Sequence, residues 1–251
     1  MKKIFFICIL FISYQGFALN CPGNDSLRNI LIIACHPDDW EIGMAGTAYL
    51  LKDKFNIHII VASDGERGNT WNTTWEPEPE VAALRAGHAN KSAEKINATN
   101  HFFKLPDGEI YADEEAVNKT VKLLEEIDPA LVFLHWPIDK PDHAAASAMA
   151  MMALTKTRMI FDREIYFFEV GLINHFTPEI YVDITSVWNI KEELVHIHER
   201  FDDGRFVRLA EQSASHHGRT NRCRYAEGFI PFFPFSNIRY RNRIGCSLID
   251  L

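Results

Sequence analysis

Short apolar runs alternate with longer amphipathic stretches along this chain, and the two periods separate strands from helices. Ile30-Leu31-Ile32-Ile33-Ala34-Cys35 is apolar at every position and of strand length, which predicts a strand covered on both faces. Ile42–Lys54 reads as a helix with Gly43 and Gly46 near its start. Ile57–Ser63 is the next strand and runs into the polar turn Asp64-Gly65-Glu66-Arg67-Gly68. Residues 69–79, rich in Trp, Thr, Glu and Pro, read as a long loop. Glu80–Ile96 follows as a helix, then His101–Leu105 as a short strand before Pro106-Asp107-Gly108. Asp113–Ile127 is a strongly periodic helix, Leu131–His135 a strand, and Ala144–Thr155 a helix whose Met149, Met151 and Met152 read as core. Ile165–Glu169 and Tyr181–Ile184 read as strands, and Val187–Phe201 as a helix capped by Thr185 or Ser186. His198 stands within that helix as a candidate cleft residue. His216-His217 reads as an exposed polar loop, and the basic stretch 219–243 as a packed aromatic segment at the edge of a cleft, within an irregular tail.

Repeated strand–helix alternation predicts a single α/β domain with a mostly parallel sheet. Ligands of such sheets gather beyond the carboxyl ends of the strands. The segments His36–Asp39, Asp64–Gly68, Pro106–Gly108 and Pro137–His143 each follow a predicted strand and converge on one rim.

The amino-terminal residues change the picture of the whole chain. Lys2-Lys3, the apolar run Ile4–Ile12 and Gly16-Phe17-Ala18 form the pattern of a secretory signal, with cleavage after Ala18. This predicts a leader over 1–18, a domain over 19–251, and a secreted or periplasmic protein with no stable membrane insertion. Subtracting the two charges of Lys2 and Lys3 takes the formal net charge from −8 to −10. An acidic chain offers no electrostatic footprint for nucleic acid. Cys21, Cys35, Cys223 and Cys246 remain in an oxidising compartment. Cys223 with Cys246 is the favoured pairing, and Cys35 reads equally well as a free buried thiol. None has zinc-knuckle spacing, so a bound metal would not be held by sulfur.

The tetrad His36-Pro37-Asp38-Asp39 carries the chemistry. Pro37 fixes its own φ and biases His36 towards extended backbone, so the side chains around it are held more tightly than in a flexible turn. Imidazole and carboxylate together suit Zn2+, which in catalytic sites takes three protein ligands and leaves one position for water. His36, Asp39 and His143 meet that count. Asp38 projects away from Asp39 and is free to accept a proton from the water as general base. Asp142 reads as a residue that holds an imidazole or caps the following helix.

These residues carry a family resemblance. His36-Pro37-Asp38-Asp39-Trp40-Glu41-Ile42-Gly43-Met44-Ala45-Gly46-Thr47 resembles the opening signature of the LmbE-like (PIG-L) zinc N-deacetylases. The resemblance continues through Asp64–Gly68, Leu105–Gly108, Pro141-Asp142-His143, Val182–Thr185 with Lys191 and His198, and Tyr225–Phe229. It implies a Rossmann-like three-layer α/β sandwich that removes N-acetyl groups from amino sugars or their conjugates. It implies His36, Asp39 and His143 as ligands of Zn2+, Asp38 as general base, and Arg85 and Asp107 as substrate contacts. Two positions depart from the family. Lys140 stands where a histidine commonly precedes Pro-Asp-His, and would stabilise the oxyanion as a point charge. His88 stands where a glutamate usually follows the arginine by three.

Two other classes compete. A dinucleotide-binding protein would carry Gly-x-Gly-x-x-Gly after the first strand, where His36–Asp39 stands instead. A non-catalytic carbohydrate-binding relative would keep the fold, and Lys140 is the feature that speaks for it. The identity of the sugar and the oligomeric state are not encoded in these patterns.

Overall fold

The computed structural model describes residues 27–68, 76–173, 175–199 and 204–232. The expected leader, part of the 69–79 loop, Cys21 and the pairing partner Cys246 lie outside the described residues.

Seven strands form one sheet: β1 (Arg28–Ala34), β2 (Phe55–Val61), β3 (Thr99–Phe102), β4 (Leu131–His135), β5 (Glu164–Phe168), β6 (Ile180–Asp183) and β7 (Ala226–Pro231). Their order is β3-β2-β1-β4-β5-β7-β6. The first five run parallel, and β7 is antiparallel to both β5 and β6. Among the described residues six helices cover the sheet: α1 (Asp39–Leu51), α2 (Pro79–Lys95), α3 (Glu114–Ile127), α4 (Pro141–Lys156), α5 (Trp188–His196) and α6 (Arg205–Asn221). This is the α/β sandwich that the alternation predicts.

The unbroken apolar run of β1 is explained by its two covered faces. Ile30, Ile32 and Ala34 pack with residues of α1, α5 and α6, whereas Leu31 and Ile33 pack with residues of α3 and α4. The period of two along a strand therefore feeds two cores at once. The chain leaves β1 towards β2 and β3 on one side and returns to β4 on the other. That reversal opens a crevice at the carboxyl ends of β1 and β4, where open α/β sheets take their ligands.

Several expected elements differ. Helix α4 starts at Pro141, a favoured first-turn residue, so His143 sits inside the first turn rather than at a loop junction. Residues Thr185–Val187 form a 3-10 turn and α5 ends at His196, so Thr185 and Ser186 do not cap a helix reaching Phe201. Asp183 Oδ1 instead accepts from the Thr185 amide at 2.9 Å. His216 and His217 lie in α6, not in a loop, and His217 is buried. The start of the supposed irregular tail contains the end of α6 and all of β7. Met149 is core as expected, but Met152 is exposed. Cys35 is a free buried thiol.

Gly43 marks the closest approach of α1 to the sheet. A Cβ there would lie 2.6 Å from Phe168 Cδ2 and 2.7 Å from the Glu169 carbonyl oxygen. A backbone oxygen has little room to yield, so Gly43→Ala should lower stability by about 1–3 kcal/mol. A fall in the urea midpoint with unchanged m-value would register it; an unshifted midpoint would refute this account of the contact.

Candidate metal centre and active site

The crevice between β1 and β4 is lined by His36, Asp38, Asp39, His135, Asp139 and His143, with Asp107 and Asp142 closing one side. Strand register brings them together. Ile33 stands opposite Leu134, so Cys35 and His36 leave β1 beside His135 at the end of β4. The Cys35 amide donates to His135 Nε2 at 3.0 Å and links the two strand ends.

Asp39 is the hub. Its Oδ1 lies 3.4 Å from His143 Nε2, and its Oδ2 lies 3.6 Å from His36 Nδ1 and 3.3 Å from His135 Nε2. Oδ2 also accepts the His36 amide at 2.7 Å, which folds the tetrad back on itself. The far nitrogens of two of these rings already have carboxylate partners. His36 Nε2 is 3.1 Å from Asp107 Oδ1, and His143 Nδ1 is 2.7 Å from Asp139 Oδ2. Asp139 precedes His143 by four residues, so the β4–α4 loop and the first turn of α4 orient that ring jointly.

The residues fit a tetrahedral divalent cation. One ligand atom from each of Cys35, His36, Asp39 and His143 lies within 4.8 Å of the others. Two ligands at about 2 Å in a tetrahedral zinc site stand roughly 3.3 Å apart, close to the 3.4 Å from Asp39 Oδ1 to His143 and the 3.6 Å from Asp39 Oδ2 to His36, one oxygen facing each ring. Each ring donates its other nitrogen to a carboxylate, the arrangement that fixes the tautomer of a metal-binding histidine. Cys35 Sγ is near as well, 3.7 Å from His36 Nε2, on the side taken by Asp107. Burial pushes its thiol up to about 12, which suits a buried thiol rather than a thiolate ligand.

Asp38 and Asp39 titrate in opposite directions. Burial raises the Asp38 carboxyl above its ordinary value, and Arg85 only partly offsets this. Burial acts on Asp39 too, but the charges of His143 and His135 hold it well below the usual carboxylate range. Adjacent carboxyl groups pushed apart in this way suit two roles, one as acceptor of protons and one as permanent anion. Burial and the charge of His143 lower His135, while Asp39 acts in the other direction.

Asp38 has φ 115°, a region L-residues rarely adopt. Such a residue costs of order 1–3 kcal/mol and persists only where its surroundings over-determine it. Arg85 of α2 supplies that determination. Its Nη2 donates to the Pro37 carbonyl at 2.7 Å and to Asp38 Oδ2 at 3.1 Å, and its Nη1 donates to the Gly65 carbonyl at 3.0 Å. Gly65 has φ 66°, and a Cβ there would lie 2.1 Å from Nη1. The Asp64–Gly68 turn is therefore the floor on which the guanidinium rests.

The expected site residues fall into two groups. His36, Asp38, Asp39 and His143 converge as the spacing suggests. Arg85 and Asp107, expected at the substrate, are engaged with the tetrad itself. Asp107 is fixed further by the Arg67 amide at 3.1 Å, and its own amide donates to Glu66 Oε1 at 2.9 Å. Asp142 ties down the neighbouring loop by accepting the Gly108 amide at 2.6 Å. Lys140 is exposed at the start of α4, and its amide donates to Asp139 Oδ1 at 2.7 Å. Its Nζ has no hydrogen-bond or ion-pair partner among the described residues.

His135, Asp139 and Glu41 were not singled out by the sequence reasoning. Asp139 lies in the loop before α4, where no helical spacing marks it, and His135 ends a predicted strand on the functional rim. Glu41 meets His198 in a buried pair at 2.8 Å, with Ser92 Oγ 3.0 Å from the same Nε2. His198 is buried, and its charge acts on the Asp38 carboxyl as well as on Glu41.

With this geometry in view, the comparisons place the chain. Residues 31–154 match the family model described as PIG-L: GlcNAc-PI de-N-acetylase. Residues 31–154 thus carry the match to the PIG-L (LmbE-like) family domain. It is 26% identical over 253 residues to the diacetylchitobiose deacetylase of Thermococcus kodakarensis, covering 90% of this chain and 94% of that one. It is also 26% identical over 190 residues to the 4-oxalmesaconate hydratase of Pseudomonas putida, covering 67% and 72%. The N,N'-diacetylchitobiose deacetylase structure from Pyrococcus horikoshii shares the fold, with TM-score 0.72, 23% identity and coverage of 85% and 89%.

Burial pulls His198 down, but the Glu41 carboxylate reverses this and the net shift is upward from 6.5. A raised folded pKa contributes stability that is complete below about 6.5 and disappears as pH climbs through the folded value. The stability gap between wild type and His198→Gln should therefore narrow from pH 6 to pH 9 in urea denaturation. A gap of constant size across that range would show that the pair is not charged as described.

Proposed function

We propose that this chain is a metal-dependent N-deacetylase that removes acetyl groups from N-acetylated amino sugars or their conjugates. The carrying observation is the set of His36, Asp39 and His143 donors spaced for one cation, with Asp38 beside it and outside the donor set. The family match and the two deacetylase relatives support the reaction class. The apolar leader pattern supports export of the protein.

Zn2+ held by His36, Asp39 and His143 would act as a Lewis acid on the amide carbonyl and lower the pKa of a water in the open position. The chain's own residues do the rest. Asp38 takes a proton from the attacking water and returns it to the departing amine, so one carboxylate serves as base and then as acid. Arg85 holds Asp38 in its strained conformation. Asp107 and Asp139 keep the His36 and His143 rings turned towards Asp39. Lys140 offers an unengaged ammonium at the rim for negative charge developing on the carbonyl oxygen.

The hydratase relative favours a second reading, addition of water to an unsaturated carboxylate. The same base and donor set would serve it, and only the electrophile differs. Acetate release from N-acetylglucosamine and diacetylchitobiose, run beside consumption of an unsaturated dicarboxylate, separates the two.

Asp38→Asn should retain bound zinc and lose about 10²–10⁴-fold in kcat. Turnover near the wild-type rate would place the base elsewhere. His143→Ala should bind zinc far more weakly by equilibrium dialysis. Prior chelation should abolish acetate release, and activity that survives full removal of metal would overturn the reading.

A further inference from the structure

Helix α1 is broken in its middle, and the break is repaired by a buried ion pair from two distant elements. Met44 has φ −148° and ψ 18°, which no helical residue adopts. In an unbroken helix the Gly46 amide would donate to the Ile42 carbonyl. Here each has a partner from outside. The Gly46 amide donates to Glu227 Oε1 at 2.9 Å and the Thr47 amide to Glu227 Oε2 at 2.7 Å. The Ile42 carbonyl accepts from Lys191 Nζ at 2.7 Å. Lys191 and Glu227 then meet at 2.5 Å, 1% and 3% exposed.

The signs are matched to the break. A carboxylate sits on the free N–H groups that begin the second helical piece, where the helix dipole favours negative charge. An ammonium sits on the carbonyl that ends the first piece, where positive charge is favoured. The pair thus replaces hydrogen bonds the backbone gives up and fixes the angle between the pieces. The first piece begins with Asp39 and follows directly on Asp38.

We propose that Lys191 and Glu227 are positioning residues for the metal-binding turn. By holding the broken helix at one angle, they aim the Asp39 carboxylate between the His36 and His143 rings, although neither touches the site. Hydrophobic packing alone would not select this angle. A straight α1 would close its own hydrogen bonds, leave Glu227 and Lys191 without these partners, and turn its first residues off the end of β1. The inference rests on the donor assignment above and concerns what keeps those donors aligned.

The test measures Zn2+ affinity of the metal-free full chain by competition with a chromophoric chelator, with the Co2+ absorption spectrum as a reporter of ligand geometry. Lys191→Met and Glu227→Gln each leave one buried charge without its partner. Lys191→Met/Glu227→Gln removes both charges and serves where a single variant does not fold. Each folded variant should bind Zn2+ about 10–100-fold more weakly, the range typical of residues that orient metal ligands, and should alter the Co2+ spectrum. Lys191→Arg should restore part of the affinity. Leu194→Ala, a core truncation on the same helix, should lower thermal stability while leaving Zn2+ affinity within twofold. Unchanged affinity and spectrum in a folded variant of the pair would overturn the proposal and leave the donor set standing. Failure of the wild-type chain to bind Zn2+ would instead overturn the donor assignment itself.

Discussion

The Asp39 carboxylate faces three imidazoles while one of its oxygens accepts the amide of His36, and this convergence is what the rest of the molecule has to maintain. A buried carboxylate is tolerated only where partners compensate its lost hydration. Two of those partners come from different strands, so the compensation depends on parallel register. Ile33 opposite Leu134 sets the ends of β1 and β4 level. A slip of one residue would send His135 to the other face of the sheet and take its Nε2 from the Cys35 amide. The apolar content of β1 and β4 is therefore part of the chemistry: it specifies the register that assembles the polar cluster beyond it.

Outside that cluster, several charged and polar groups attach to one stretch of chain, residues 36–47. Arg85 grips the Pro37 carbonyl and Asp38, His198 (itself in contact with Ser92) holds Glu41, and Lys191 with Glu227 spans the break at Met44. The segment is enclosed on its apolar side as well, with Trp40, Ile42, Met44 and Ala45 all buried. Leaving any of these buried polar groups without a partner would cost about 1–3 kcal/mol, more where it is charged. The strained φ of Asp38 is thus paid for by a shell of contacts drawn from α2, α5 and β7. A stiff frame around a small set of donors is what precise metal geometry requires.

How much of this was legible in the sequence follows from the range of the interactions. The sandwich showed in the alternation of runs, and the tetrad stood out because a fully apolar strand seldom ends in an imidazole and two carboxylates. His143 was legible through Pro141-Asp142-His143 and its place after another strand. Helix α6 was not. Its residues do recur at helical period, with Phe206, Val207 and Leu209 packed against the core, but the buried stripe Ala210, Ser213, Ala214 and His217 is small and polar and does not announce a core face. His217 looked exposed for the same reason, whereas it donates to Glu169 in the interior. The Met44 break was hidden because no proline marks it. Its partners lie about 150 and 180 residues away, a separation that local patterning does not encode. Arg85 and Asp107 were found as functional positions, but their partners within the tetrad could be read only from coordinates.

On the proposed reading, the site bears on both kinds of activity named among the relatives, a deacetylase and a hydratase. Hydrolysis of an amide and hydration of a carbon–carbon double bond both deliver water to a trigonal carbon beside a polarised oxygen. A base next to a cation-binding donor set answers either demand, so with the proposed roles His36, Asp38, Asp39 and His143 would not by themselves select the electrophile. Selection falls to the rim, built from the segments after β3, β4 and β5, where Tyr111, Ile138 and Leu172 are exposed and Lys140 carries an unengaged charge. A lysine there differs from an imidazole in kind: it is a compact cation on a flexible stem, able to follow charge as it develops but poorly suited to relay a proton. On the proposed reading, proton traffic is then left to Asp38 alone. That is the physical reason for a carboxylate whose pKa is lifted by burial and whose position is over-determined by Arg85.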